Sequence, residues 1–375
     1  MADIVRQHGA ELQVLVKLSA QQRRALKAIA LCRTPALGGH LDVCRSCGHQ
    51  RAAYNSCRNR HCPKCQALAQ ERWITARSAR ILPARHFHVV FTLPSQLRSL
   101  ARFRPKLLYD AFFRAVGNTL LEFGQSNLRA RLGVTLVLHT WTRELQLHPH
   151  LHALVTAGGL SLDDKWVRSG ANYLFPVHAL GKVLRGKMLD ALRQLFRQGK
   201  LNGFDDFRDP EGFDRLMCKL ASLNWVVYAK KPFRRADHVL RYLGRYTHRV
   251  AISNSRLLDV GPNHVTFRTK KGRRLTLHPV QFLKRFVEHI LPASFVKIRH
   301  YGLYSSANVN TKLPIAHGLL TVAPPSDAAK VPTPTPQSWP EQLAALTCRD
   351  VRRCPLCGGE IMTIDLSPIH ARAPP

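Results

Sequence analysis

The stretch ELQLHPHLHALVTAGG sets three imidazoles, His148, His150 and His152, at every second position immediately before an apolar run. Alternate side chains of an extended segment share a face, so the three rings crowd together. Pro149 lacks an amide hydrogen, so a regular strand interior is expected to begin after it, with His150 and His152 on one face and Leu151 turned to the core. Two same-face imidazoles can chelate one divalent ion. A third ligand is then wanted: His139 in VLHTW is the first choice, because an antiparallel neighbour would lay it beside the pair. His148, Glu144 and Gln146 are rivals. The plain alternative is a solvated or hydrogen-bonded histidine cluster on a polar sheet face.

A second chemical pair lies in ADHVLRYLGRYTHRVAIS, where Tyr242 and Tyr246 are four residues apart. On a helix they stand on one face about 6 Å apart along the axis, so both hydroxyls can reach a common point. Both sit at the border of the apolar stripe, where tyrosines often bury the ring and wet the hydroxyl, and that is the structural alternative. Combined with the histidines, they suggest strand cleavage: a metal acts as Lewis acid on a phosphodiester while a tyrosine oxygen takes the phosphoryl group. A phenol is mostly protonated at neutral pH, and Lys230, Lys231, Arg241, Arg245 and Arg249 supply a positive field that favours phenolate and DNA alike.

The third group is VCRSCGHQRAAYNSCRNRHCPKCQ. Cys44 and Cys47 form one C-x2-C pair, Cys62 and Cys65 another, with 14 residues between them. Four thiolates in two such loops satisfy tetrahedral Zn2+, and a closed shell of protein ligands makes that zinc structural. Cys57, His61 and His40 complicate the set: they could replace one ligand or hold a second ion with Cys32. Arg45, Arg51, Arg58, Arg60 and Lys64 around the cysteines suggest a DNA grip. Near the C-terminus, Cys348, Cys354 and Cys357 are part of a further site, with His370 as a completing ligand or with the pair left unfilled.

The elements that must position these groups follow from composition and period. The 375 residues are 45% hydrophobic, enough for one large domain or two to three small ones, and 57 Lys and Arg against 23 Asp and Glu give a formal charge of +34. Such an excess calls for a polyanion, and its spread along the chain favours nucleic acid over a membrane surface. No apolar stretch approaches a membrane span, and MADIVRQHGAEL lacks a signal-peptide layout; with the C-x2-C cysteines, the expectation is a reducing cytoplasm. Ser19 and Gln22 form a capping box that starts a basic helix. Short β-branched runs (HFHVVFTLP, VTLVLHTW, LHALVTAG, NWVVYAKK, HVTFRTKK) alternate with helices expected over 106–130, 180–198, 236–248 and 279–290. The runs VTLVLHTW and LHALVTAG should be antiparallel neighbours. These runs read as an α/β or α+β fold, with α+β taken as the expected class, and composition divides the chain into 1–80 (helical and zinc-binding), 81–310 (catalytic), 311–340 (a Pro-rich linker) and 341–375 (a tail with C-x2-C).

HPHLH followed by YLGRYTHRVAIS, FTLP on the first strand of the domain, and CRNRHCPKC ahead of it resemble the two-tyrosine HUH transposases of rolling-circle insertion sequences, over roughly residues 10 to 310. The resemblance implies a central antiparallel sheet flanked by helices, with His150 and His152 as metal ligands, Tyr242 and Tyr246 as paired nucleophiles, and residues 32 to 65 as a zinc-binding domain. It implies Mg2+ or Mn2+ as catalytic ion, single-stranded DNA from the element's ends as substrate, a 5′-phosphotyrosine intermediate, and residence at a prokaryotic nucleoid. The third ligand and the number of copies in the working assembly stay open. Two other readings compete: a plasmid replication initiator or relaxase with the same chemistry, and a zinc-ribbon DNA-binding regulator without catalysis.

Overall fold

Amphipathic spacing produces two helices at the start of the chain. In the computed structural model, which describes residues 1–78, 80–171, 174–204, 210–233, 244, 250–322, 338, 341, 343–344 and 350–366, α1 spans Ala2–Leu15 and α2 spans Ala20–Leu31. The capping box at α2 is present: Gln22 N–H donates to Ser19 Oγ at 3.2 Å and Ser19 N–H donates to Gln22 Oε1 at 2.8 Å. A hairpin of β1 (Gly39–Cys44) and β2 (Gln50–Tyr54) follows, then α3 (Ala67–Ser78). The large domain runs β3 (His86–Thr92), α4 (Arg98–Phe103), α5 (Pro105–Leu128), β4 (Ala130–Trp141), β5 (Leu147–Ser161), β6 (Trp166–Arg168), α6 (Val177–Arg197), α7 (Pro210–Ser222) and β7 (Val227–Phe233). A small sheet of β8 (Leu257–Val260), β9 (Val265–Arg268) and β10 (Arg274–Leu277) leads into α8 (Pro279–Val287), β11 (Ile298–Gly302), α9 (Lys312–Val322) and finally β12 (Ile361–Leu366). Three of the four expected long helices fall within a few residues of these bounds; the fourth, 236–248, lies outside the described residues except for Gly244, which is helical. Residues 312–322, expected in the Pro-rich linker, are helical because Leu313 and Ala316 find a partner, the buried Leu160 and Leu303.

The main sheet is antiparallel, in the order β11-β4-β5-β3-β7 with β6 beside β5. Period two sorts its side chains. Phe87, Val89 and Phe91 of β3, Leu136 and Leu138 of β4, and Leu151, Ala153 and Val155 of β5 face α5 and α6, where Phe112, Val116, Leu184 and Met188 complete the main core. Burying each of these large apolar side chains contributes about 1.5–3 kcal/mol. The intervening residues line the other face, where Val137 and Leu154 pack against Trp73 of α3 and against Ile81. Helix α3, which follows the cysteine block, therefore covers the sheet face that carries the histidines.

Strand β5 begins at Leu147, two residues before Pro149, and so earlier than expected. The register with β4 pairs His139 with His150 and Trp141 with Leu147, so two residues of β5, His148 and Pro149, oppose Thr140 alone. A bulge is where a strand tolerates proline, since the missing N–H costs no ladder bond there. The β4–β5 hairpin is tight, and Leu145 in its turn adopts φ 61° and is fully buried. It enters a second core that Leu12, Ile29, Phe282 and Phe286 share, so α1 and α2 pack directly on α8. His289 locks the hairpin: Nε2–H donates to Leu145 O at 3.1 Å, and Thr140 Oγ1–H donates to Nδ1 at 3.2 Å. At the other end of the chain, β12 pairs antiparallel with β1, giving a sheet β12-β1-β2.

Candidate active site and metal centres

Strand register brings the predicted imidazoles together. On β5, His150 and His152 point away from the main core; β4 sets His139 opposite His150, and β3 sets Thr92 opposite His150 and Val90 opposite His152. The nearest donor atoms of His139, His150 and His152 lie within 4.8 Å of one another, a separation a single ion can bridge. His139 and His152 are buried, and the Trp141 ring stacks on His139 at 4.6 Å. Of the rivals for the third position, His148 keeps its ring 5.4 Å from that of His150 and stands outside the cluster, while Glu144 and Gln146 belong to the hairpin turn.

Hydrogen bonds aim the rings. His150 Nδ1–H donates to the His148 carbonyl at 2.7 Å, which leaves the Nε2 lone pair for an ion. His152 Nδ1 lies 2.8 Å from His88 Nε2, and the two rings stack at 5.0 Å. With Nδ1–H of His152 donating to His88, its Nε2 has the lone pair. Sequence reasoning missed His88, although HFHVV carries the same alternate-residue spacing as HPHLH. Burial lowers the His150 pKa to about 4 and that of His88 to about 4, with Lys230 adding to the effect on His88, and burial carries His152 well below its ordinary value. Neutral rings are the form that ligates metal. Three imidazoles fit Mn2+ and other transition ions better than Mg2+. Lys230 sits opposite His88 in the β3–β7 register, so a positive charge stands beside the cluster.

The cysteines group differently from the spacing-based set. Cys32, Cys57, Cys62 and Cys65 form one cluster; Cys44, Cys47, Cys354 and Cys357 form another. The expected single site of Cys44, Cys47, Cys62 and Cys65 is corrected accordingly. Strand pairing is the reason: β1 carries Cys44 to the β12 edge, opposite Ile361, whereas the loop after β2 returns to the end of α2, where Arg33 N–H donates to Asn55 O at 3.1 Å. In the first cluster Cys65 Sγ lies 3.3 Å from Cys32 Sγ and 3.7 Å from Cys57 Sγ. His61 is not a ligand, since Leu291 N–H donates to its Nε2 at 3.1 Å and its Nδ1 lies 3.1 Å from Asn59 Oδ1. His40 stands outside both clusters. The arginines around the block are partly spent on the fold: Arg60 donates to Phe295 O and Pro292 O, Arg51 pairs with Asp42, and Arg45 pairs with Glu360.

Residues 133–312 match a family described as "Putative transposase", and residues 4–93 match a "Transposase zinc-binding domain". The chain is 40% identical, over 98% of its length and 95% of the relative's, to "Putative transposase y4qJ" of Sinorhizobium fredii. It is 30% identical, over 88% of its length and 80% of the relative's, to the "Transposase for insertion sequence element IS801" of Pseudomonas savastanoi pv. phaseolicola. The chain belongs to the rolling-circle insertion-sequence transposases.

The transposase carries its first thiol cluster wholly inside the matched zinc-binding segment, and that cluster suits a structural zinc. No helix among the described residues is long and apolar enough to cross a membrane. Tyr242, Tyr246, Arg241, Arg245 and Arg249 of the transposase lie outside the described residues, and so does the side chain of Lys231. Gly244, midway between the tyrosines, is described. It is buried against α3, where a side chain in its place would meet Ile74 Cδ1 at 2.5 Å.

Proposed function

We propose that the transposase cuts and rejoins single-stranded DNA at the ends of its element, with Tyr246 and Tyr242 as nucleophiles and His139, His150 and His152 as ligands of a divalent cation, Mn2+ in preference to Mg2+. The observation that carries the reading is the convergence of those three imidazoles, from two strands, on a face beside Lys230. The packing of Gly244 on α3, the helix that covers this same sheet face through Trp73, supports the tyrosines reaching it.

A cation held there supplies Lewis acidity to a phosphate oxygen. The chain's own groups do the rest. A tyrosine oxygen attacks phosphorus, the bond from phosphorus to the 3′-oxygen breaks, the phenol proton is lost and the departing 3′-oxygen is protonated. The 5′-phosphotyrosine conserves the phosphodiester bond energy, so a 3′-hydroxyl can later attack it and restore a strand without ATP. With two tyrosines, one holds the first end while the other cuts a second site. Lys230, Lys231, Arg241, Arg245 and Arg249 are assigned to the phosphate backbone, where each contact also steepens the salt dependence of binding. The zinc-binding domain positions the DNA and takes no part in the chemistry.

The test is adduct formation. Purified protein with Mn2+ and single-stranded DNA from the element's ends gives a covalent protein–DNA species that survives denaturing gels; Tyr242→Phe/Tyr246→Phe abolishes it, and His150→Ala lowers its rate at least about 100-fold, as the loss of several kcal/mol of charge stabilisation requires. Adduct persisting in the double tyrosine variant overturns the assignment of nucleophiles. A regulator without catalysis forms no adduct at all.

A further inference from the structure

Cys354 and Cys357 lie outside both family-matched segments, yet they complete a four-thiol cluster with Cys44 and Cys47. The two loops, CRSCGH and CPLCGG, are built alike. Gly48 N–H donates to Cys44 O at 3.1 Å and Cys44 N–H to His49 O at 2.9 Å; Gly358 N–H donates to Cys354 O at 2.9 Å and Cys354 N–H to Gly359 O at 2.8 Å. Each loop turns on a glycine in the left-handed region, φ 69° at Gly48 and φ 74° at Gly358, the conformation needed to aim two sulfurs at one point. In the C-terminal loop, Leu356 N–H and Gly359 N–H approach the sulfurs of Cys354 and Cys357 at 3.4 Å each.

The loops meet because β1 pairs with β12, and they touch at backbone distance. Arg45 N–H donates to Glu360 O at 3.0 Å, and a side chain at Gly359 would collide with Ser46. Across the junction Cys44 Sγ lies 3.5 Å from Cys357 Sγ, and Cys47 Sγ lies 3.7 Å from Cys354 Sγ. Zinc bound tetrahedrally by thiolates at about 2.3 Å sets its sulfurs about 3.8 Å apart. All four cysteines are free thiols, so no disulfide competes for them in this structure.

We propose that Cys44, Cys47, Cys354 and Cys357 bind a second structural zinc ion, which fastens the C-terminal segment to the N-terminal hairpin and makes residues 350–366 part of the zinc-binding module. Because the ligands come from opposite ends of the chain, the ion closes a loop of about 300 residues, and its loss releases β12 from β1.

The test counts thiolate-bound metal in the full-length chain carrying His150→Ala/His152→Ala, so that the histidine cluster contributes none. Elemental analysis is expected to give two zinc per chain, falling to one on adding Cys354→Ser/Cys357→Ser. One zinc in the parent, two in the serine variant, or iron in place of zinc overturns the proposal. Should the serine variant fail to fold, thiol alkylation followed by mass spectrometry decides on the parent alone, with exposed Cys218 as the reactive control. Cys47 and Cys357 are expected to resist alkylation until a chelator is added, although both are exposed. Alkylation at the Cys218 rate before chelation, or protection relieved only by a reductant, refutes it.

Discussion

Removing His88 is expected to weaken metal binding at a site it does not itself ligate. His88 Nε2 sits 2.8 Å from His152 Nδ1, both rings are buried, and burial keeps both neutral at pH 7. When His152 ligates through Nε2, its Nδ1–H needs an acceptor, and His88 Nε2 is in place to accept. His88→Ala leaves that donor buried without the acceptor, at a cost of about 1–3 kcal/mol. Tenfold corresponds to about 1.4 kcal/mol, so the affinity for Mn2+ should fall roughly 5- to 150-fold, in line with the 10–100-fold typical of groups that orient a metal-bound histidine. Calorimetric titration of Mn2+ into zinc-loaded protein measures it. His88→Gln, which restores an acceptor, should recover most of the loss, and zinc content should be unchanged in both variants. Unaltered Mn2+ affinity in His88→Ala, with the fold intact by circular dichroism, would refute the idea that this hydrogen bond sets the His152 ring.

Acid should destabilise the transposase between pH 6.5 and 4. His86 and His289 are fully buried, and burial lowers each pKa to about 4, so the unfolded chain binds more protons in that window and stability falls with pH; by pH 5 each contributes a loss of about 2 kcal/mol, readable as a drop in denaturation midpoint between pH 7 and 5. Gly181→Ala in α6 gains about 1 kcal/mol of helix propensity, but its new methyl would stand 2.6 Å from the Trp225 carbonyl oxygen, a backbone atom that cannot swing aside. Overpacking costs about 1–3 kcal/mol, so a net lowering of the melting temperature is expected, and a rise would contradict the packing. Cys57→Ser should cost one zinc and much of the roughly 10 kcal/mol or more that a structural ion contributes to folding, seen as early melting together with zinc loss. Phe91→Ala, at a residue with no exposed surface, should lower unfolding free energy by about 3–5 kcal/mol in urea titration.

Local chemistry was legible in the residues themselves. The Ser19–Gln22 capping box, the helices expected over 106–130, 180–198 and 279–290, and the alternating strands depend on neighbours within a few residues, and each of these appears within a few residues of where its spacing puts it. The alternation in HPHLH likewise places His150 and His152 on one face in any extended segment, and one antiparallel hairpin suffices to bring in His139. Sequence distance hid the remainder. His88 joins His152 only because β3 pairs with β5 across about sixty residues, and nothing near His88 marks it as different from His86, which bonds Tyr304 instead.

The cysteines separate the two kinds of information most clearly. Residue type and the C-x2-C spacing determined that loops of this chain aim pairs of sulfurs at metal, since a five-residue turn ending in glycine is a local object. Which pairs share an ion is a matter of strand partnership, and Cys44 and Cys47 reach partners some 310 positions away because β1 offers a free edge that β12 fills. Backbone hydrogen bonding between distant strands carries no signature in the intervening residues, so only the tertiary structure could assign those four thiols to one another.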